Sequence, residues 1–149
     1  MIEQRRMTEE EINRLIKEAP DSEKCNLLEF LDGEISPYEY FNKFSIDQSG
    51  ILSKGRPIYF AALVPNCDGE KEFFTIANSN IEDLYSLCKI SKKTLKDWVE
   101  KHGEIYATME KVSSLNMKWT EWLGFKMNLD SENRITYVIR KRSNVNAND

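Results

Sequence analysis

Apolar residues recur at helical spacing near the start of the chain: Ile12, Leu15, Ile16 and Ala19 share one face, and Pro20 closes the run. Thr8 stands where an N-cap belongs, and Glu11 three residues later completes a capping box. A second short helix is predicted from about Ser22, carrying Cys25, Leu28 and Leu31, with Gly33 beyond it as terminator. A third repeats the grammar of the first. Ser36 caps it, Pro37 begins it, Glu39 closes the box, and Tyr40, Phe41 and Phe44 supply its apolar side.

After a break at Gln48, Ser49 and Gly50 the period becomes that of strands. Residues 50–53 and 57–64 predict a hairpin turning at Lys54, Gly55 and Arg56, and the unbroken apolar run from Ile58 to Val64 predicts a fully buried arm. Residues 65–69 form a loop, and residues 71–77 another strand. Ile81, Leu84, Tyr85, Leu87 and Cys88 predict a short helix, and Ser91 opens a separate one through Leu95, Trp98 and Val99 to His102 and Gly103. Residues 104–110 alternate, with Ile105, Ala107 and Met109 on one face and Tyr106 and Thr108 on the other. Leu115, Trp119, Trp122 and Leu123 then define one apolar stripe of a helix that ends at Gly124. Residues 125–129 and 135–139 predict a closing hairpin, and residues 143–149 a flexible tail. Such alternation favours an α/β (α+β) fold, a mixed sheet with helices packed on it.

With 149 residues, of which 40% are hydrophobic and 31% charged, the chain has room for one domain with a real core. The net charge of -4 does not favour attraction to a phosphate backbone, so nucleic acid is not an expected partner. Cys25, Cys67 and Cys88 form no C-x-x-C pair and read as reduced thiols in a cytosolic setting, and with His102 as the single histidine no metal site is expected. No apolar run approaches the ~20 residues of a spanning helix, and residues 1–6 lack the apolar region of a signal peptide, so a soluble protein is expected.

The strand Ile105–Glu110 followed by the helix from Ser114 to Leu123 and the pair Gly124-Phe125 resembles the C-terminal half of the GNAT fold, the Gcn5-related N-acetyltransferase superfamily. The resemblance extends loosely over about residues 5–140. It implies a single GNAT-like domain over residues 1–142 with a mixed central sheet of six to seven strands. The ending Trp-x-x-Trp-Leu-Gly-Phe, from Trp119 to Phe125, looks most like a group of bacteriophage proteins that includes internal virion proteins of short-tailed phages. Active members of the superfamily cradle the acetyl-CoA pyrophosphate on a glycine-containing loop after the central strand. Here that stretch is Asn78-Ser79-Asn80-Ile81-Glu82-Asp83, without glycine and with two carboxylates. Ser113 and Thr120 stand where typical members place an Asn and a Tyr.

The expectation that follows is a phage-encoded GNAT-fold protein that keeps the scaffold without its standard loop. It would bind other virion proteins, in the virion or the host cytoplasm, through an exposed surface such as the aromatic-rich residues 36–44, and would need no cofactor. The alternatives are a divergent acetyl-CoA-dependent N-acetyltransferase acting on a protein or small amine, and a phage inhibitor of a host system. If the chain is active, Ile76, Ala77, Asn78, Ser79 and Asn80 would meet acetyl-CoA, Glu72 would be the base and Tyr106 the acid. The plainer reading makes Glu72 a solvated strand carboxylate and Tyr106 a core or rim tyrosine. Plainer readings are likewise preferred for His102, as a partner of the helix dipole rather than a base, and for Cys67, as an inert thiol. Trp119 and Trp122 are assigned to the core. Lys92, Lys93 and Lys96, and separately Arg140, Lys141 and Arg142, are read as solvated clusters.

Overall fold

Thr8 starts the first helix as its spacing predicts. In the computed structural model, which describes residues 2–19, 36–78, 84–110, 114–132 and 134–141, the Thr8 hydroxyl accepts the Glu11 N–H and the Glu11 carboxylate accepts the Thr8 N–H, opening α1 (Glu9–Glu18). The same carboxylate takes both ends of the Arg5 guanidinium, at 2.8 and 2.6 Å, from β1 (Ile2–Arg5). That ion pair and the Thr8 bonds hold the Glu11 carboxyl at about 2. The Ser36 hydroxyl accepts the Glu39 N–H and opens α2 (Pro37–Phe44). The helix predicted around Cys25, Leu28 and Leu31, and the tail, lie outside the described residues.

The strands are β2 (Asp47–Ser53), β3 (Arg56–Pro65), β4 (Lys71–Ala77), β5 (Ile105–Glu110), β6 (Lys126–Asp130) and β7 (Arg134–Ile139). With β1 they form one seven-stranded sheet in the order β1-β2-β3-β4-β5-β7-β6. Only β4 with β5 is a parallel pair among the registered neighbours; β1–β2, β2–β3, β5–β7 and β6–β7 are antiparallel. Lys54 and Gly55 both take positive φ, 52° and 78°, which suits a two-residue turn matched to the twist of β2 and β3. The run from Pro57 to Val64 is buried throughout, as predicted. The β6 strand ends the sheet with all five residues exposed, and its register with β7 shifts by one between Met127 and Leu129.

Three expectations are corrected. Gln48, Ser49 and Gly50 do not break the chain; they pair with Ala62, Ala61 and Phe60 inside β2, because ladder hydrogen bonds outweigh their weak strand propensity. The two helices expected on either side of Ser91 are one, α3 (Leu84–His102). No Gly or Pro interrupts it, and Ser91 is buried in line with Leu87, Leu95, Trp98 and Val99 rather than capping. In α4 (Ser114–Trp122) the inward line runs through Thr120 to Leu123, while Trp122 is 47% exposed and stacks on half-buried Trp119 at 5.4 Å. The apolar spacing alone had placed both tryptophans in the core.

Two compact units make up the chain, Met1–Pro65 with Phe73–Ile90, and Asn66–Glu72 with Ser91–Asp149. In the first, Met7, Ile12, Leu15, Phe41, Phe60, Phe74 and Ile76 are buried together. In the second, Leu95, Ile105, Ala107, Leu123, Phe125, Ile135 and Tyr137 are buried.

The end of α4 follows the sequence closely. Gly124 has φ 110°, its N–H donates to the Glu121 carbonyl, and the Phe125 N–H reaches back to the Thr120 carbonyl while the Phe125 ring is buried. A Cβ on Gly124 would also lie 3.2 Å from Ile139 Cδ1. Gly124→Val is therefore expected to destabilise the fold by more than ~1 kcal/mol through backbone strain. Thermal denaturation checks this, and an unchanged midpoint would remove the account of the helix end.

Candidate active site around Glu72

The start of β4 is fixed by the turn before it. Asn66 Oδ1 accepts the N–H groups of Asp68 and Glu70, each at 3.0 Å, and the Asn66 N–H donates to the Glu70 carbonyl at 2.8 Å. Gly69 makes the turn possible with φ 79°. Two residues on, Glu72 stands in register with Tyr106 across the parallel β4–β5 pair. The neighbouring ladder brings β7 alongside β5, with Thr136 opposite Thr108 and Arg134 opposite Glu110. The two threonine hydroxyls lie 3.4 Å apart.

Glu72 is half-buried, and burial pushes its carboxyl above the usual carboxylate range. The charge of Arg134 and hydrogen bonds from the Asn66 and Thr108 side chains pull in the opposite direction, and Glu70 adds to the upward push. The Tyr106 hydroxyl donates to Glu104 Oε1 at 3.3 Å; burial, then Glu104 and Glu70, push its pKa up. Glu104 is paired with Arg140, which with their hydrogen bond lowers the carboxyl and occupies one member of the basic cluster at 140–142. The site thus combines a carboxyl of raised proton affinity with a phenol that keeps its proton. Those are the complementary states of a base and an acid at neutral pH.

The sequence had paired Glu72 with Tyr106, and the register brings them together. Glu72 is half-buried on β4. Asn66, Thr108 and Arg134 were missed as its partners, since cross-strand neighbours leave no local spacing; the one available signal was Thr108 sharing the Tyr106 face.

The other candidates stand apart in role. His102 is the last residue of α3, followed by Gly103 at φ 87°. Cys67 is exposed in the 66–70 turn. Lys93, Lys96 and Lys141 are exposed, but Lys92 sits over the Trp122 ring at 4.5 Å, so the α3 cluster does have an aromatic neighbour. Ser79, Asn80, Ser113 and Arg142 lie outside the described residues. Among the described residues no group of three His, Cys, Asp or Glu side chains is gathered to hold a metal, and no helix is long and apolar enough to cross a membrane.

Of the stretch from Ile76 to Asn80, Ile76 is buried and Ala77 half-buried. Asn78 is buried, its N–H donating to the Ile58 carbonyl at 2.9 Å and its side-chain amide to Glu18 Oε2 at 3.2 Å. The Asn78 backbone N–H therefore does not fit the part of a donor in a phosphate cradle, because it already has a protein acceptor.

No protein-family model matches the sequence, and no curated protein sequence matches it either. Solved structures do match. The GNAT domain of S. lividans PAT superposes with a TM-score of 0.68 at 11% identity, covering 93% of this chain and 89% of that one. The ribosomal-protein-S18-alanine N-acetyltransferase of Escherichia coli gives 0.64 at 13% identity, covering 94% of each chain. Campylobacter jejuni N-acetyltransferase PseH, in complex with acetyl coenzyme A, gives 0.61 at 13% identity over 95% of this chain and 100% of that one. These matches overturn the expectation of a non-enzymatic virion protein. That expectation weighed the missing glycines of residues 78–83 as loss of function, whereas the structures sharing the architecture are acetyltransferases. Over nearly its whole length, the chain has the GNAT fold of the Gcn5-related N-acetyltransferases.

Proposed function

We propose that the protein is a divergent N-acetyltransferase that uses acetyl-CoA to acylate a primary amine on a protein or small molecule. The observation that carries this reading is the half-buried Glu72, opposite Tyr106 across the parallel β4–β5 pair. The likeness to acetyltransferase structures, one of them containing acetyl-CoA, supports it. When bound, acetyl-CoA supplies an acetyl group activated as a thioester. The residues expected to meet it are Ile76, Ala77, Asn78 through its side chain rather than its backbone N–H, Ser79 and Asn80. Glu72 takes the proton that an amine must lose before it can attack, and its raised proton affinity brings it closer to the amine's own. Asn66, Thr108 and the charge of Arg134 favour the ionised form of Glu72 against the burial that opposes it. Tyr106 Oη holds a proton available to a leaving group.

Glu72→Gln tests the assignment. With acetyl-CoA and a panel of peptides and small amines, release of free thiol should be measurable, and the substitution should lower kcat/KM by about 10²-fold or more. The acidic limb of the wild-type pH profile should lie above the usual carboxylate range and vanish in the variant. Stability should move the other way. A carboxyl whose folded pKa is raised contributes stability below its unfolded pKa, and this is lost as pH rises through the folded value. Urea denaturation of the wild type should therefore show Glu72 weakening the fold as pH rises above the ordinary carboxylate pKa, and Glu72→Gln should remove that loss. Full activity in Glu72→Gln would discard the base assignment.

A further inference from the structure

At the end of β4 three side chains converge on one carboxylate. Arg14 Nε donates to Glu18 Oε1 at 3.1 Å, while Arg56 Nε, at 3.3 Å, and the Asn78 amide, at 3.2 Å, donate to Oε2. Arg14 and Glu18 come from the last turns of α1, Arg56 from the first residue of β3, and Asn78 from the residue that leads into 79–83. An ion pair that only tied α1 to the sheet would need one guanidinium. Among the described residues two guanidiniums face this one carboxylate, and Lys17, next to Glu18 in the sequence, and Lys54, two residues before Arg56, stand exposed. The side chains of Arg14, Arg56 and Glu18 are 52%, 39% and 31% exposed, so all three are open to exchange with a solute.

A carboxylate receiving two guanidiniums and an amide can stand in for a phosphate, because both anions present a pair of oxygens that accept charge-assisted bonds from guanidinium forks. We propose that Arg14, Arg56 and Asn78 form the phosphate-binding site for the acyl carrier, and that Glu18 is the internal anion holding these donors in position until a phosphate replaces it. The site rests on the acetyl-CoA reading above and accounts for a chain whose 78–83 stretch lacks glycine: side-chain donors do what backbone donors do in a glycine-rich cradle. The hydrogen bonds from Arg14 and Arg56 hold the Glu18 carboxyl below its usual range, so it stays ionised as the competing anion at neutral pH. Removing that anion should strengthen phosphate binding, a sign opposite to the loss expected of any structural ion pair.

Calorimetry on the full chain with CoA, inorganic pyrophosphate and phosphate-free pantetheine separates the possibilities. CoA and pyrophosphate should bind with an affinity that falls as salt is raised. Arg56→Gln should weaken both about tenfold, Arg56→Lys should recover part of the loss, and Glu18→Gln should tighten both, with pantetheine indifferent to all three. Thermal melts of each variant confirm that it is folded. Wild-type binding of CoA that Arg56→Gln and Glu18→Gln leave unchanged would overturn the phosphate site and leave the acetyl-CoA reading standing. Arginine-dependent binding of pyrophosphate without binding of CoA would keep the site and discard the carrier. Binding of neither would discard both.

Discussion

Phe41→Ala should destabilise the protein by about 3–5 kcal/mol, the range for an aromatic side chain removed from a packed core. The ring is 1% exposed and lies 5.1 Å from those of both Phe60 and Phe74, edge-on to the first and tilted to the second, so α2 is joined to β3 and β4 through one side chain. Tyr40 adds an edge contact at 5.4 Å. Alanine leaves a cavity that two aromatic rings on a hydrogen-bonded sheet are poorly able to fill. Against a total stability of about 5–15 kcal/mol, the loss should shift the urea midpoint far enough to leave the variant partly unfolded in mild denaturant. Phe41→Leu should restore most of the difference. A Phe41→Ala loss below ~1.5 kcal/mol would mean that the α2 contact is peripheral to the core.

Gly50→Ala, a change that ordinarily stabilises slightly, should here cost about 2–5 kcal/mol, comparable to losing a buried methionine. A Cβ at Gly50 would fall 2.3 Å from Met7 Cγ and 2.9 Å from its Sδ, with the Arg5 carbonyl oxygen at 3.0 Å. Arg5 is the ladder partner of Gly50, and Met7 is 3% exposed, so the backbone cannot retreat and the side chain has nowhere else to be buried. The double variant separates the causes. In a Met7→Ala background, Gly50→Ala should add little, because the atoms it would strike are gone. Additive losses in chemical denaturation would instead place the cost in the β1–β2 backbone.

Gly50 also shows where sequence pattern misleads. A glycine after Gln48 and Ser49 reads as a break when only local propensity is weighed, and its real reason is a methionine 43 residues earlier in the chain. Ser91 misled in the same way, since a residue favoured at caps was assumed to make one. What depended on local chemistry was legible: the Thr8–Glu11 box, Ser36 before Pro37, the limits of β4 and the Gly124–Phe125 exit from α4. The site was half legible. Glu72 and Tyr106 carry recognisable side chains on recognisable strands, so their types suggested roles. Their support comes from Asn66 in a turn, Thr108 on β5 and Arg134 on β7, and only the register of a folded sheet makes these neighbours. Trp122 failed for a further reason: nine residues of helix present too little periodicity to fix which line faces inward.

The shifted register of β6 bears on how the molecule behaves in crowded solution. In a regular strand Met127 and Leu129, two residues apart, would project from one face and give the outer border a contiguous greasy strip. The shift sets them instead opposite Tyr137 and Thr136, consecutive residues that point to opposite sides of the sheet. With Lys126 and Asp130 at the two ends of the strand, the border offers a stray β-strand neither an even ladder nor an apolar rail to lie along, which keeps an open-edged sheet from polymerising.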